Sequence, residues 1–257
     1  MINIYEYVKQ LNVENGSSQR MTCPMCKSYK TFTVTNNMGS LLWNCYKASC
    51  DVKGKSRVYL SAEDIRNMNK PKETEDFEIP EYITPHKHKI IDWCNRWGLD
   101  ADALDLQYDV KEHRVVFPIK DNGRIVDATG RSILNKLPKW KRYGSSDLPF
   151  SFGCGSIAIV VEDCISAGVI GSDVYVGVAV LGTSLLESHK TFLSQFSTTI
   201  IALDPDALPK SFSFAKDLRS HVKNVKILKL KDDLKYRRKE DINNLKLLTP
   251  KETQLWN

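Results

Sequence analysis

Four segments in the second half of the chain share one pattern, in which a short apolar run is followed by a polar turn and a helical segment. The first run, residues 157–161, is continuously apolar and rich in β-branched side chains, which predicts a strand buried on both faces. Three further runs precede turns and helical segments: VYVGVAV, TTIIAL and VKILKL. This alternation predicts an α/β domain built on a parallel sheet.

The first half has the period of antiparallel hairpins instead. Apolar and polar residues alternate on both sides of residues 36–39, which predicts one hairpin. A second pair of predicted strands flanks Asp121-Asn122-Gly123, which contains the Asn-Gly dipeptide that favours tight hairpin turns. Helical patterns predict a helix that ends at Gly98, a second over residues 100–108, and a third over residues 61–69, capped by Ser61.

Composition excludes several classes of protein. The 257 residues are 42% hydrophobic and 26% charged, which is ordinary for a globular protein and excludes global disorder, collagen and coiled coil. No apolar run approaches the roughly 20 residues that cross a bilayer. The N-terminus lacks the basic and apolar regions of a secretory signal, so we expect a cytoplasmic protein without a membrane partner.

Charge divides the chain. The formal net charge is +6, which permits a polyanionic partner without requiring one. Residues 1–60 contain eight Lys or Arg against three Asp or Glu, a difference of +5, whereas residues 61–85 contain three against seven and three prolines. We therefore predict a basic domain over 1–60, an acidic linker over 61–85, an α+β subdomain over 86–155, a parallel-sheet subdomain over 156–248 and a tail over 249–257.

Four of the seven cysteines lie in the first fifth of the chain, as C-x2-C and, after eighteen residues, C-x4-C: Cys23, Cys26, Cys45 and Cys50. Pairs of thiols with this spacing on hairpin turns hold one zinc ion in zinc ribbons, whereas two disulfides would be unusual in a reducing cytoplasm. With four thiolate ligands the site has no open position, so the zinc would be structural. We expect the other three cysteines to be small buried residues with free thiols.

Aromatic residues are interspersed among the cations of this ribbon, an arrangement that suits stacking on nucleic-acid bases. They are Tyr29, Phe32, Trp43 and Tyr46. The alternative is that they form the small core of the ribbon. We favour the core for Phe32, whereas for Trp43 and Tyr46 the sequence leaves both interpretations open.

Acidic residues follow the predicted strands. Glu162 follows the first, and Asp204 and Asp206 follow the third. Ligands of parallel sheets bind at the carboxyl ends of the strands, and oxygen ligands suit Mg²⁺ or Mn²⁺. A lone Asp-Pro-Asp is as often a surface turn, but the glutamate one strand earlier favours a metal site that could orient phosphates.

The strand that ends in Glu162, the LGTS turn and ALDPDA together resemble a Toprim domain, which is found in bacterial-type primases, topoisomerases and some nucleases. With a four-cysteine ribbon before it, the order resembles the primase part of bacteriophage primase–helicases. The resemblance extends to about residue 248 and includes a basic subdomain represented by FPIKDNGRIVDATGRSI and LPKWKRYG.

The resemblance implies metal-binding and catalytic roles for Glu162, Asp204 and Asp206. Asp233 is the favoured further ligand, with Asp232 and then Asp241 as alternatives. Where many Toprim domains have a further aspartate, this chain has Ser166, which weakens the case for a second metal ligand on that helix. Five residues are expected to contact substrate or template: Arg131, Lys139, Lys141, Ser184 and Trp43.

The expected function is a DNA primase that joins ribonucleoside triphosphates into short RNA primers on a single-stranded DNA template, with structural Zn²⁺ and catalytic Mg²⁺ or Mn²⁺. A replicative helicase or DNA polymerase would be a further partner, and the setting would be a phage protein in the bacterial cytoplasm. The alternatives are a Toprim nuclease and a non-catalytic zinc-dependent nucleic-acid-binding protein.

A helicase motor is not expected in this chain. Gly54-Lys55-Ser56 matches the end of a P-loop, but the glycine required five residues earlier is replaced by Ser49. Nor does the sequence after residue 248 leave length for a motor domain, so the chain would be either a fragment of a primase–helicase or a stand-alone primase.

Overall fold

A computed structural model describes residues 3–13, 17–37, 39–59, 77–134, 136–182 and 184–249, and of residue 37 only the backbone. The chain divides into two compact units, residues 1–73 and 74–257, and the division falls within the predicted linker. The helix predicted over residues 61–69 lies outside the described residues, as does the predicted tail beyond residue 249. No helix in the described ranges is long and apolar enough to cross a bilayer.

The first unit is a short helix and a four-stranded antiparallel sheet. The sheet order follows the chain, and the elements are α1 (Ile4–Gln10), β1 (Ser18–Met21), β2 (Phe32–Asn37), β3 (Ser40–Cys45) and β4 (Lys53–Arg57). The side chain of Asn3 caps α1 by accepting a hydrogen bond from the Tyr5 amide at 3.1 Å. The hairpin predicted around residues 36–39 is confirmed, and Phe32 lies fully buried in the core as expected.

The second unit begins with an antiparallel sheet whose strand order also follows the chain. Its strands are β5 (Ile83–Thr84), β6 (Gln107–Asp109), β7 (Arg114–Asp121), β8 (Arg124–Ser132) and β9 (Trp140–Arg142), with α2 (Ile91–Trp97) between β5 and β6. The predicted hairpin is confirmed, because Asn122 and Gly123 both have positive φ and let Asp121 pair with Arg124. Ile83 is buried and lies inside the predicted linker, so the end of that segment is part of this unit.

The helix predicted over residues 100–108 is wrong. Residues 101–105 form turns, in which the Asp100 carboxylate accepts hydrogen bonds from the Asp102 and Ala103 amides at 2.9 and 3.0 Å. Such side-chain bonds compete with a continuing helix. The chain then extends as β6, where Tyr108 pairs with Val115.

The third sheet has the order β10-β12-β11-β13-β14. Four strands are parallel, as predicted, while β10 is an antiparallel edge strand that the sequence pattern did not reveal. The strands are β10 (Phe150–Phe152), β11 (Ile157–Val161), β12 (Tyr175–Ala179), β13 (Thr198–Ile201) and β14 (Asn224–Ile227). The helices are α3 (Cys164–Ile170), α4 (Glu187–Leu193), α5 (Leu208–Leu218) and α6 (Lys239–Leu248).

Strand β11 is buried on both faces, as predicted. Ile159 lies in a core that the parallel sheet shares with the antiparallel sheet and α3, where it joins Phe117. Val160 lies in a second core on the opposite face, together with Leu193 of α4 and Phe214 of α5. Because side chains alternate along a strand, β11 joins the two cores.

Gly177 of β12 lets α3 approach the sheet closely, and replacing it tests this packing. A Cβ at this position would lie 2.1 Å from the backbone carbonyl oxygen of Ala167. We expect Gly177→Ala to lower the free energy of unfolding by about 2–3 kcal/mol, because backbone cannot move aside as a flexible side chain can. The measurement is equilibrium urea denaturation. Gly182→Ala is the control, since its new Cβ would meet nothing closer than 3.7 Å, and equal stabilities of the two variants would contradict the packing argument.

Candidate functional site

The four predicted zinc ligands lie together in the first unit. Cys23 and Cys26 form a knuckle after β1, in which the Cys23 amide donates to the Ser28 carbonyl at 3.0 Å. Cys45 ends β3 and Cys50 lies in the turn before β4. The sulfur atoms are 4.0 Å apart in the pair Cys23 and Cys50 and 3.8 Å apart in the pair Cys26 and Cys45, and all four lie within 4.8 Å of one another.

These distances fit one tetrahedral ion. A zinc ion bound at about 2.3 Å by four sulfurs places them about 3.8 Å apart, whereas a disulfide requires about 2.0 Å. All four cysteines are free. The predicted four-cysteine cluster is therefore confirmed, and its geometry suits Zn²⁺. Of the remaining cysteines, Cys94 and Cys164 are buried as expected, but Cys154 is exposed, which corrects the expectation for that residue.

Trp43, for which core packing and template contact were both open, lies in the core of the ribbon. Its side chain is only 3% exposed and packs against Tyr5, at 5.0 Å between ring centroids, so it offers no free face to a base. On the neighbouring strand β4, Gly54 leaves room for the indole ring, since a Cβ there would lie 2.5 Å from it. Of the four aromatics predicted to stack or to form the core, Tyr46 and Tyr29 are exposed, at 61% and 76%.

The strand-end acids of the second unit do converge. Glu162 and Asp163 follow β11, Asp204 follows β13, and Asp233 follows β14 after a longer connection. Because β13 pairs in parallel with both β11 and β14, these three strands end at the same edge of the sheet. We name Glu162, Asp163, Asp204 and Asp233 the acidic cluster.

Electrostatics link the members of the acidic cluster. Burial, together with the negative charges of Asp233, Glu162 and Asp163, raises the pKa of Asp204 to about 6, although the charge of Lys235 opposes this shift. A carboxyl group with this pKa is ionised at pH 7 but can still accept a proton near neutrality. Asp163, which was not predicted as a site residue, thus acts on Asp204 together with the predicted Glu162 and Asp233.

Two lysines offset part of the negative charge of the acidic cluster, and neither was predicted. The Lys235 ammonium lies 2.9 Å from Asp163 Oδ2 and also contacts Asp233. Burial lowers the pKa of Lys235, but the two aspartates outweigh burial and leave it well above its ordinary value. Lys210 Nζ lies 3.4 Å from Glu162 Oε1 and donates to the Gly182 carbonyl at 3.2 Å. The sequence gives little indication that Lys210 and Lys235 pair with these carboxylates, beyond the fact that each lysine follows an aspartate within a few residues.

Other predicted acids occupy different surroundings. Asp206 is exposed on the 3-10 helix Pro205–Ala207, two residues beyond Asp204. Asp241 is 1% exposed and accepts hydrogen bonds from the Lys231 and Asp232 amides, so its carboxylate holds the loop that carries Asp233. Ser184 is exposed between β12 and α4.

The predicted basic residues have different environments. Arg131 is partly buried on β8, and burial lowers the pKa of its guanidinium although the charge of Asp163 opposes this. The Lys141 ammonium contacts Glu112, which also binds Arg114 at 2.9 Å. The side chain of Lys139 is exposed. Trp140 packs against the core beside Phe117, at 5.8 Å between ring centroids, so it covers apolar surface.

The acidic cluster fits a divalent cation by its chemistry, since its ligand atoms are carboxylate oxygens. It is looser than the thiol site: within the described ranges, only the four cysteines bring three or more potential ligand atoms within 4.8 Å of one another. The Lys235 ammonium lies between the Asp163 and Asp233 carboxylates and offsets their negative charge. A divalent ion that binds here therefore competes with this lysine.

The thiol site yields a prediction about metal content. We expect about one zinc per chain, lost in Cys26→Ser or Cys50→Ser and retained in Cys154→Ser, which alters a thiol outside the cluster. Loss of zinc should expose residues 17–59 to proteolysis, because the unit has a very small core without it. Elemental analysis and limited proteolysis are the measurements, and zinc retention in both ligand variants would contradict the assignment.

The raised pKa of Asp204 yields a prediction about stability. The folded value is about 6 against an ordinary 3.8, so ionisation opposes folding at high pH and this cost disappears as pH falls below about 4. We expect Asp204→Asn to raise the free energy of unfolding by about 1 kcal/mol at pH 8, after allowing for solvent screening, and to change it little at pH 4.

Magnesium should favour the natural chain over Asp204→Asn. Millimolar Mg²⁺ is expected to raise the Tm of the natural chain at pH 8 and to leave that of Asp204→Asn unchanged, because a ligand stabilises only the state that binds it. Thermal denaturation with and without Mg²⁺ measures the effect. Asp217→Asn, an exposed change on α5, should behave like the natural chain. An equal Mg²⁺ shift in both Asp204 forms would show that the ion binds elsewhere.

Several solved structures are similar to this chain. The primase fragment of the bacteriophage T7 primase–helicase protein is 14% identical, with a TM-score of 0.48 over 89% of this chain and 98% of that one. The E. coli primase catalytic core is 17% identical, with a TM-score of 0.48 over 63% and 72%. A DnaG primase catalytic domain bound to single-stranded DNA is 16% identical, with a TM-score of 0.48 over 66% and 74%. No family model matches the sequence, and no curated protein matches it.

Proposed function

We propose that this chain is a DNA primase, which joins ribonucleoside triphosphates into short RNA primers on single-stranded DNA. The observation that supports this most directly is the acidic cluster, in which Glu162, Asp204 and Asp233 follow three adjacent parallel strands. Burial and like charge raise the pKa of Asp204 to about 6. Such clusters hold divalent ions that act on phosphates.

In the proposed reaction the 3′-hydroxyl of one nucleotide attacks the α-phosphate of the next, and pyrophosphate leaves. Glu162, Asp204 and Asp233 would hold Mg²⁺ or Mn²⁺, and Asp206, two residues beyond Asp204, would be a further ligand. The bound ion would neutralise phosphate charge and orient the triphosphate for in-line displacement. Glu162 is alternatively a general base that takes the proton of the 3′-hydroxyl, since a carboxylate in this position can do either.

The ribbon would bind the template. Its exposed cations Lys53, Lys55 and Arg57 alternate along β4 and suit phosphate contacts, while Tyr46 has a largely exposed ring beside Arg20. Arg131 and Lys139 would contact substrate or template in the second unit. The proposed setting is a phage protein in the bacterial cytoplasm, with a replicative helicase or DNA polymerase as partner.

The test is a synthesis assay with four ribonucleoside triphosphates, Mg²⁺ or Mn²⁺ and single-stranded DNA of varied sequence. We expect short RNA products, at least about a hundredfold reduced in Asp204→Asn and Glu162→Gln, since these changes remove metal-binding charge. Asp217→Asn should retain full synthesis. Degradation of the DNA would identify a nuclease instead, and binding of DNA without RNA products or cleavage would identify a non-catalytic binding protein.

A further inference from the structure

The second unit contains a cavity of about 670 Å³ that the sequence analysis did not anticipate. Residues from α2, β8 and the 3-10 helix Leu234–Tyr236 with its flanking Arg237 line it. Its volume lies in the range of small-molecule sites. Six lining residues matter for its chemistry: Arg96, Trp97, Arg131, Lys235, Tyr236 and Arg237.

Charge selects an anion for this cavity. In the described part of the chain the lining includes four cationic side chains and no acidic one. Arg131 Nη1 is buried and makes no hydrogen bond to any described group, so it is a donor without an acceptor. A buried donor of this kind is costly unless a ligand satisfies it, and guanidinium groups bind phosphate oxygens well.

Aromatic side chains select the second part of the ligand. Trp97 and Tyr236 lie with ring centroids 5.8 Å apart and with their planes tilted by 56°, and the side chain of Tyr236 is 56% exposed. A base that stacks on Tyr236 would therefore meet Trp97 at an angle. Neither ring is a buried member of the core, as Phe117 is. Trp97 is partly buried against the core, and Tyr236 is exposed. Exposed aromatic surface beside cations suits a nucleobase joined to phosphates.

Lys235 connects this cavity to the acidic cluster. It lines the cavity and also binds Asp163, at 2.9 Å, and Asp233. A polyphosphate that extends from Arg131 to Lys235 would therefore end beside the carboxylates. The phosphate-binding residues Arg131 and Lys235 therefore lie next to the acidic cluster. Trp97 and Tyr236 line the same cavity.

We propose that Tyr236, with the tilted ring of Trp97 beside it, forms the platform on which the base of the incoming ribonucleoside triphosphate stacks, while Arg131 and Lys235 bind its phosphates. The inference rests on the proposed function and adds to it the residues that bind the base. The volume is sufficient for one mononucleotide, and we take the free nucleotide, not the template, as the occupant.

The experiment measures binding of ATP and of inorganic tripolyphosphate to the full chain by equilibrium dialysis, without template and without synthesis. Tyr236→Ala should weaken ATP binding about tenfold, the usual effect of losing one base stack, and leave tripolyphosphate binding unchanged. Tyr236→Phe should restore ATP binding. Arg131→Met should weaken both ligands, because both carry phosphates.

Matched controls are Phe212→Ala, which removes an exposed ring on α5, and Arg219→Ala, which removes an exposed cation beyond it. Neither residue lines the cavity, and both variants should bind the two ligands normally. The inference is overturned if Tyr236→Ala leaves ATP affinity unchanged or weakens tripolyphosphate equally. It is also overturned if a DNA oligonucleotide depends on Tyr236 while ATP does not.

The outcome is separable from that of the proposed function. If the chain binds ATP in this way but makes no RNA, the binding platform stands and the primase proposal fails. If the chain makes RNA but Tyr236→Ala leaves the KM for nucleotides unchanged, the primase proposal stands and the platform fails.

Discussion

The burial of β11 on both faces is the constraint on which the rest of the second unit depends. A strand enclosed by two cores tolerates no charged side chain along its length, so its first carboxylates come where it ends. The parallel register with β13, and of β13 with β14, brings Asp204 and the connection to Asp233 to the same edge. Apolar packing of the sheet thus produces a concentration of negative charge at its rim.

That concentration is unfavourable by itself, and the fold compensates for it locally. The raised pKa of Asp204 shows that burial and neighbouring carboxylates already disfavour its ionised form. Lys235 lies between Asp163 and Asp233, and Lys210 lies beside Glu162, so two monovalent cations reduce the repulsion. These ion pairs are non-covalent, so another cation can replace the lysines. A divalent cation placed among the carboxylates would provide more charge in a smaller volume, and the lysines could then turn to phosphate.

Sequence reasoning succeeded where the determining interaction is local. The β-branched run of β11, the Asn-Gly turn and the cysteine spacing each specify their structure within a few residues, and each prediction is confirmed. It failed where distant residues decide. The sequence left the place of Trp43 open, and the ring is buried where Gly54 on the neighbouring strand leaves space for it. Residues 107–109 extend because Tyr108 pairs with Val115, whereas the turn before them depends on the Asp100 carboxylate.

The cavity illustrates the same limit more sharply. Its base-stacking candidates come from α2 and from the segment that follows β14, more than a hundred residues apart in the chain. Arg237 adopts the left-handed conformation directly after the 3-10 helix, and its guanidinium donates to the Gly98 carbonyl at 2.9 Å. Gly98 itself ends α2 with positive φ, so two sharp turns meet at this bond. No periodicity in the sequence predicts the contact between Arg237 and Gly98, because it depends on two backbone conformations and one long-range hydrogen bond.

The two metal sites that the chain is proposed to contain differ in a way that follows from their ligands. The four thiols lie at tetrahedral spacing and leave no open position, which suits an ion that holds a small unit together. The carboxylates are farther apart, are partly exposed and are bound to lysines, which suits an ion that arrives and leaves with phosphate. A site that closed around its ion as tightly as the thiols do could not exchange substrate. The looser packing at the rim of the parallel sheet is therefore what the proposed chemistry requires.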